Sequence, residues 1–276
     1  MKVKFSDKRL LKSFATVISG ISTVLSLVLI FVDVPDNIII RSILAILFLL
    51  AIIVVYFLMW NSANKKTKAT ITVNGNTVDV EVGDIFEQKD ILKVIPFNEY
   101  FDTQVDEQIV SSKTLNGQYI LHHLSEPPES LRDRIMNDKR LNGLITCMDA
   151  KRASSKAKYP LGTIFKNEDY LLLAFSKFDT DNRAYFDSKS LWECLINMWN
   201  EIDICHAGNI VSLPLLGTGI ARQHNMHLSE QEILELIVTS LKISGIKTNW
   251  NMRFKIIIYP NNASQINFYK LSSLSD

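Results

Sequence analysis

Hydrophobic positions are distributed very unevenly along this chain of 276 residues. From Phe14 to Val32, and again from Ser42 to Trp60, no residue carries a charge. Each run has about 19 residues, close to the roughly 20 that a helix needs to cross the hydrocarbon core of a membrane. A cleaved signal peptide also starts with basic residues, but its apolar core is shorter and no second span follows at once. Residues 1–65 are therefore predicted to form a transmembrane helical hairpin, with spans at about 14–32 and 42–60.

The pattern of residues 66–276 is that of a separate globular domain. Alternating apolar and polar residues on both sides of Asn74-Gly75 predict a β-hairpin. Continuous apolar runs, typical of buried strands, occupy residues 91–101, 170–178, 209–216 and 252–260. Helical patterns occupy residues 129–140, 188–208, 227–245 and 264–274, with Ser229 as an N-cap and Gly245 as a stop in the third. The first is rich in charge and predicts a short exposed helix. Strands that alternate with helices predict an α/β domain with a mostly parallel central sheet.

Charge and cysteine content narrow the class of protein. The net charge is +1 and 21% of the residues are charged, which argues against a nucleic-acid partner. The cysteines are odd in number and lack C-x-x-C spacing: Cys147, Cys194 and Cys205. This pattern favours a reducing compartment and buried structural cysteines over disulfides or a zinc site.

The basic residues that flank the two spans predict an orientation. They precede the first span and follow the second, at Lys2, Lys4, Lys8, Arg9, Lys12, Lys65, Lys66 and Lys68. Because basic residues remain on the cytoplasmic side, both termini are expected to be cytoplasmic. Tyr56 and Trp60 stand where an interfacial aromatic belt would lie.

Small polar residues form a stripe on the first span. Ser19, Ser22, Thr23 and Ser26 follow helical spacing. The stripe either packs against the second span or faces other copies or water in an assembled state. The spans contain no acid or base, which disfavours a transporter or pump.

The segment "SLPLLGTGIAR", residues 212–222, combines a strand pattern with a Gly-Thr-Gly turn. In α/β sheets, ligands bind beyond the carboxyl ends of the strands, where such a turn would lie. It lacks the Gly-Lys-Ser/Thr of a P-loop and the third glycine of a dinucleotide fingerprint. Alone, it is explained equally well as a plain strand-to-helix turn.

Three motifs taken together resemble a macro domain, the ADP-ribose-binding α/β module with a mixed central sheet flanked by helices. They are "VEVGDIF", "PLLGTGIAR" and "IIIYP", in that order, and the resemblance covers about residues 69–276. It implies that Asp84 accepts the adenine amino group, beside Ile85 and Phe86. It also implies that Tyr259 stacks on adenine and that a loop wraps the diphosphate, formed by Gly217, Thr218, Gly219 and Ile220.

The chain also departs from this family. Asn98 stands near the first asparagine of the family's catalytic segment, but the triple glycine that follows it there is missing. "TLNGQ", residues 114–118, could supply a second phosphate-facing loop through Leu115, Asn116 and Gly117, or could be a plain β-turn. With the catalytic pattern absent, the resemblance favours binding over hydrolysis, and no catalytic residue is assigned.

The remaining candidate residues lie near the Gly-Thr-Gly turn or in histidine pairs. Arg222 could form a bidentate contact with a phosphate or carboxylate, or could face solvent. His224 could touch a ligand. Neither His122-His123 nor His224 with His227 has a third ligand at metal spacing, so no metal is expected.

A membrane hairpin followed by a divergent macro-type domain resembles the effectors of type II Thoeris antiphage systems. That resemblance implies a multi-pass protein of the bacterial inner membrane. A TIR-domain partner protein would make an ADP-ribose-derived second messenger, such as a histidine conjugate. The messenger would drive homo-oligomer formation and disruption of the membrane lipid. The alternatives are a membrane-tethered ADP-ribosyl hydrolase and an ADP-ribose reader without action on the membrane. No cofactor besides the ligand is expected.

Overall fold

A computed structural model describes residues 3–32, 35–89, 91–152, 154–179, 183–219, 221–244 and 252–275. The predicted loop residue Ile220 and the predicted helix stop Gly245 lie outside the described residues. The chain divides into two compact units, one of residues 1–67 with 267–269 and one of residues 68–266 with 270–276.

The first unit contains two long apolar helices, α1 (Lys8–Leu29) and α2 (Ile38–Lys65). The Asp7 side chain accepts hydrogen bonds from the first-turn N–H groups of α1, and Asn37 does the same for α2. Both helices are long and apolar enough to cross a membrane, and the apolar stretch of each is not buried within the protein. Helix α1 ends at Leu29, before the end of the span predicted at Val32, and α2 includes the whole second span. Membrane insertion itself stays a prediction.

Two of the four hydroxyl groups of the polar stripe bond to carbonyl groups of their own helix. The Thr23 hydroxyl donates to the Ser19 carbonyl at 2.9 Å, and the Ser26 hydroxyl donates to the Ser22 carbonyl at 2.8 Å. Their single protons are thus already used within α1. The stripe offers less interhelical hydrogen bonding than its composition suggests, whichever surface it faces.

The residues before α1 pack against the C-terminal part of α2. The Trp60 indole N–H donates to the Val3 carbonyl at 3.0 Å, and the Tyr56 hydroxyl donates to the Phe5 carbonyl. The Phe5 and Tyr56 rings meet edge to face at 4.8 Å. Tyr56 is buried by these contacts, and the interfacial position expected for it stays a prediction. Tyr56 and Trp60 together satisfy two backbone carbonyls ahead of α1.

The second unit is an α/β domain with one large mixed sheet and a small separate hairpin. Its strands are β1 (Lys68–Val73), β2 (Asn76–Val82), β3 (Leu92–Asn98), β4 (Cys147–Met148), β5 (Ala157–Lys158), β6 (Ile164–Asn167), β7 (Tyr170–Phe178), β8 (Ala184–Phe186), β9 (Val211–Pro214), β10 (Arg222–Gln223) and β11 (Arg253–Ile258). Its helices are α3 (Leu115–His122), α4 (Pro128–Asn137), α5 (Lys139–Asn142), α6 (Ser188–Cys205) and α7 (Glu230–Ser244). The last α-helix among the described residues, α8 (Phe268–Leu271), falls where a longer closing helix was expected, and a 3-10 helix, Ser272–Leu274, follows it.

The large sheet has the order β1-β2-β11-β9-β3-β7-β8-β10, with β6 paired to β7. The five strands from β2 to β7 run parallel to one another, whereas the pairs β1–β2, β6–β7 and β7–β8 are antiparallel. The predicted hairpin joins β1 to β2 through Asn74 and Gly75, both with positive φ, as a type I′ turn requires. Residues Leu171 to Ala174 of β7 are completely buried, as a strand covered on both faces must be. This confirms the predicted fold class.

Three local expectations are wrong. Cys147 is exposed on the short hairpin strand β4, although Cys194 is buried as expected. The segment Thr114–Gln118 is the start of helix α3 rather than a loop or β-turn, because the Thr114 side chain accepts from the Gly117 N–H and caps the helix. Helix α4 buries Leu131 and Ile135 and is therefore not a wholly exposed helix.

Candidate functional site

A cavity of about 610 Å³ opens where the five parallel strands end. Residues that follow or end these strands line it, among them Asp84 after β2, Asn98 of β3, Phe178 of β7, Leu215 after β9 and Tyr259 after β11. Because parallel strands deliver their carboxyl ends to one edge, segments far apart in sequence meet here. The volume is typical of a small-molecule site.

Asp84 presents a carboxylate oxygen to this cavity. Its Oδ1 atom accepts from the Phe86 N–H at 2.8 Å, which holds the turn after β2 in place. The Oδ2 atom has no partner among the described residues. Ile85, next in the chain, is almost fully buried and also lines the cavity. The arrangement leaves one acceptor for a ligand N–H or O–H group.

The Gly-Thr-Gly loop contains two glycines with different roles. Gly217 has φ +80°, and a Cβ atom there would lie 2.8 Å from Cζ of Phe186. The Thr218 hydroxyl donates to the Leu215 carbonyl at 2.8 Å and fixes the bend. At Gly219 an added Cβ would meet nothing within 4 Å, so the backbone there is open to a ligand. Gly217, Thr218 and Gly219 all line the cavity.

Tyr259 follows β11 and lies at the cavity with 56% of its surface exposed. Its carbonyl accepts from the Asn262 N–H at 2.9 Å, where a 3-10 turn begins. A large aromatic ring that is mostly exposed at the rim of a cavity is available for stacking on a planar ligand.

Asn116 is a buried residue of the site whose side-chain oxygen has no hydrogen-bond partner among the described residues. It lies in the first turn of α3, is 6% exposed and lines the cavity together with Leu115. A buried acceptor without a partner is a cost to the fold without ligand.

Asn98, in contrast, is engaged within the protein. Its Nδ2 atom donates to Asp102 Oδ2 at 3.0 Å, and its Oδ1 atom accepts from the Tyr100 N–H at 2.9 Å. The Arg152 guanidinium lies 2.6 Å from the same Asp102 oxygen. Burial raises the pKa of Asp102, although the Arg152 charge opposes this shift. Asn98 thus lines the cavity as part of a buried polar network.

Two predicted site residues are not among the described residues that line the cavity. Phe86 stacks on the His123 ring, with centroids 4.2 Å apart and planes at 7°, so that His123 covers one face of it. Burial lowers the pKa of His123 below its usual value. Gly117 is needed for packing, because a Cβ there would lie 2.2 Å from the Ser111 carbonyl oxygen. These two positions are structural.

The charged residues of the cavity are mainly basic. Lys113, Arg183 and Arg222 line it with one further acid, Glu107. The Glu107 carboxylate accepts from the Ser112 N–H and the Ser111 hydroxyl, both at 2.8 Å, and thereby organises its own loop. The cavity is therefore suited to an anionic ligand.

Sequence reasoning missed the loop of residues 107–113, together with Phe178 and Arg183. Irregular loops carry no periodic pattern, and only the position of Phe178 at a strand end pointed to the site. His224 is exposed and meets Tyr185 edge to face at 5.8 Å, and it is not among the lining residues. Within the described parts of the chain, no group of three or more His, Cys, Asp or Glu is placed to hold a metal ion.

Known proteins resemble this chain at two levels. The sequence profile of the family described as "Thoeris protein ThsA, Macro domain" matches residues 78–259. The "Thoeris protein ThsA" of Bacillus amyloliquefaciens (strain Y2) is 39% identical over 224 residues, which cover 80% of this chain and 74% of that protein.

Solved structures are more distant. A mutant of the Oceanobacillus iheyensis macrodomain has a TM-score of 0.48 at 14% identity, covering 75% of this chain and 95% of that one. The same macrodomain with ADP has a TM-score of 0.46 at 14% identity, covering 74% and 93%. The family assignment rests on the two sequence matches.

Proposed function

The chain belongs to the family of the Thoeris protein ThsA, and on that premise we propose that its cavity binds an ADP-ribose-derived second messenger. Family membership is consistent with Thoeris antiphage defence and an ADP-ribose-type ligand. The proposal rests on one observation above all. Within the family-matched stretch, Asp84, the loop Gly217–Gly219 and Tyr259 line one cavity.

The adenine end of the ligand would lie between Asp84 and Tyr259. The free Oδ2 atom of Asp84 would accept from the exocyclic 6-amino group of adenine, which hypoxanthine lacks. The exposed ring of Tyr259 would stack on the base. This pair accounts for both the polar and the planar parts of adenine.

The diphosphate would lie against the Gly-Thr-Gly loop. The open backbone at Gly219 allows close approach of phosphate oxygens without a Cβ clash. Arg222 and Arg183, both at the cavity, would supply positive charge. Asn116, which also lines the cavity, would supply a polar side chain beside the ligand.

Binding would act on the membrane through assembly. In this proposal a TIR-domain partner protein makes the messenger, and the ligand-bound macro domains form a homo-oligomer that gathers the α1–α2 hairpins. The ligand can drive this change only if it binds the assembled state more tightly than the monomer. The hairpins, with both termini on the cytoplasmic face of the bacterial inner membrane, would then disrupt the lipid bilayer.

Calorimetric titration of the full chain in detergent micelles tests the binding step. ADP-ribose and its histidine conjugate are expected to bind, and the analogue with hypoxanthine in place of adenine is expected to bind at least tenfold more weakly. Asp84→Asn retains an oxygen for the Phe86 N–H but can oppose the adenine amine with its own N–H groups. It should therefore reduce the preference for adenine. Equal affinities for both bases in the wild type would refute the assignment of Asp84.

Light scattering and dye release from liposomes test the later steps. The messenger should raise the molecular mass of the protein–detergent complex and release dye from liposomes that contain the full chain. Binding without a change in mass would refute gating by assembly. Conversion of the ligand, seen by chromatography of the titrated sample, would favour the tethered hydrolase instead.

A further inference from the structure

Strand β1 forms one edge of the large sheet. In its hairpin with β2, Val73 and Asn76 flank the two-residue turn, so alternate residues of β1, starting from Val73, bond to β2 through their backbones. The residues between them point their N–H and C=O groups away from the sheet, and these are Lys68, Thr70 and Thr72. Such outward groups at an edge can accept another strand.

One side-chain hydroxyl covers part of this edge. The Thr72 N–H donates to Ser275 Oγ at 3.1 Å, and the same hydroxyl donates to the Thr72 carbonyl at 3.3 Å. Ser275 follows the 3-10 helix Ser272–Leu274, which packs against β1. The hydroxyl thus takes the place of a residue in a neighbouring strand. Because both bonds are exposed to water, breaking them costs little.

The rest of the edge is open. Among the described residues, no strand pairs with β1 on its outer side. Thr70 and Thr72 have exposed side chains on one face of β1, whereas Ile71 and Val73 are buried on the other. Because these four residues are β-branched, the segment is well suited to strand pairing.

The edge is complementary to itself. When two copies of β1 pair antiparallel about a two-fold axis at Thr70, each Thr70 faces its counterpart, and Lys68 faces Thr72 of the second copy. Threonine opposite threonine is a favourable cross-strand pair, and no like charges lie opposite each other. A second copy of this chain therefore fits the edge through both its backbone and its side chains.

We propose that the outer edge of β1 joins two copies of this chain into one continuous sheet, and that Ser275 covers this edge in the single copy. Pairing replaces the Ser275 bonds with main-chain hydrogen bonds along the strand. One strand pair buries less area than a stable dimer needs, so pairing is favoured where copies are concentrated in one membrane. As the interface of the proposed assembly, the inference rests on the proposed function, but the pairing itself needs no ligand.

The position of β1 in the chain links this pairing to the apolar helices. Helix α2 ends at Lys65 and β1 begins at Lys68, so two residues separate them. In the antiparallel pair the two Lys68 residues lie roughly 14 Å apart, given the rise and spacing of paired strands. Pairing of β1 therefore brings the ends of two α2 helices together.

Sedimentation velocity of the full chain in detergent micelles, without nucleotide, tests the cover. Ser275→Ala should tighten dimer formation about tenfold, because the edge loses both bonds that cover it. Ser273→Ala is the matched control and should behave as wild type, since the Ser273 hydroxyl donates to the Lys270 carbonyl of its own turn at 2.7 Å. Equal self-association of wild type and Ser275→Ala, or an equal rise in both variants, would overturn the proposal.

Two substitutions at Thr72, each combined with Ser275→Ala, test the register. In Thr72→Glu the new carboxylate faces Lys68 of the second copy and should tighten dimer formation about fivefold, because the symmetry doubles each cross-strand pair. In Thr72→Lys two like charges face each other, and dimer formation should weaken about as much. High salt should reduce both effects. Equal dimer formation by the two variants would overturn the proposal.

Addition of ADP-ribose separates this inference from the proposed function. A ligand-driven rise in mass that is the same in the Glu and Lys variants of Thr72 would leave the proposed function intact and overturn the β1 interface. Ligand binding without a rise in mass, beside charge-dependent dimers in the absence of ligand, would refute gating by the ligand and support the β1 interface.

Discussion

Gly217 and Phe186 are packed so closely that no side chain fits between them. A Cβ atom at Gly217 would lie 2.8 Å from Cζ of the buried Phe186 ring, and the glycine has φ +80°. The bend of the Gly-Thr-Gly loop is thus fixed by the strand β8 that carries Phe186. Two residues further on, a Cβ atom at Gly219 would meet no atom of the described residues within 4 Å. The two glycines therefore separate the folding of the loop from its proposed contact with ligand.

Gly217→Ala is expected to lower the free energy of unfolding by about 1 kcal/mol or more, because alanine combines an unfavourable φ with a steric clash. Chemical denaturation of the full chain, followed by near-UV circular dichroism, measures this. Gly143→Ala is the control, since its Cβ would lie 3.6 Å from the Arg140 carbonyl oxygen, an ordinary contact. Equal stability of the two variants would contradict the role given to Phe186.

Gly219→Ala is expected to leave stability within about 0.5 kcal/mol of wild type but to reduce ADP-ribose affinity about tenfold. The added methyl group meets no protein atom and occupies space needed by the diphosphate. Calorimetric titration beside a denaturation curve measures both effects. Unchanged affinity would show that the diphosphate does not approach this backbone.

Asn116→Leu is expected to maintain or raise stability, because it removes a buried acceptor that has no partner among the described residues. It should also weaken ADP-ribose binding, because an apolar side chain replaces a polar one that lines the cavity. Thermal unfolding with and without ligand tests both the expected stability and the expected loss of binding. A variant that is less stable without ligand and binds normally would argue against a ligand contact at Asn116.

Asp79 is expected to make stability depend on pH. Burial alone would raise the pKa of this carboxyl, but hydrogen bonds from Thr70 and Arg253 outweigh burial and hold the pKa below its ordinary value of 3.8. Arg253 Nη2 lies 2.6 Å from Asp79 Oδ2. Because the pKa of Asp79 is lower in the folded than in the unfolded protein, its charge stabilises the fold at pH values above the unfolded pKa of 3.8. This stabilisation is lost as the pH falls from 3.8 through the folded pKa.

Asp79→Asn should therefore cost about 2 kcal/mol at neutral pH, and the difference from wild type should shrink below pH 3.8. Denaturation curves at several pH values measure it. Asp133→Asn is the control, because that side chain is 72% exposed and should show little effect at any pH. A cost that does not vary with pH would mean that the Asp79 charge is not what stabilises the sheet.

The sequence permits prediction where one residue type is required by local geometry. Asn74-Gly75 indicated a hairpin because a type I′ turn needs two positive φ angles. The Gly-Thr-Gly turn could be placed at the ligand-binding edge because it follows an apolar strand pattern, whereas Asp84 and Tyr259 were assigned through the resemblance to macro domains. The order of the three motifs along the chain supported that resemblance.

Other features depend on contacts between distant residues and have no local signal. Thr114–Gln118 contains the Asn-Gly pair of a turn, yet Gly117 is there to pack against the Ser111 carbonyl within a helix. Phe86 is held by stacking on the ring of His123, which lies far along the chain. The loop of residues 107–113 is organised by the Glu107 carboxylate through bonds that only the folded chain reveals.

Because the cavity is built from five strand ends that are far apart in the sequence, it is completed late during synthesis of the chain. Helices α1 and α2 are synthesised before the domain, whereas the cavity needs both Asp84 after β2 and Tyr259 after β11. A chain whose translation has not yet passed residue 259 therefore has both apolar helices but an incomplete cavity. Such a chain cannot yet bind a ligand that needs Tyr259.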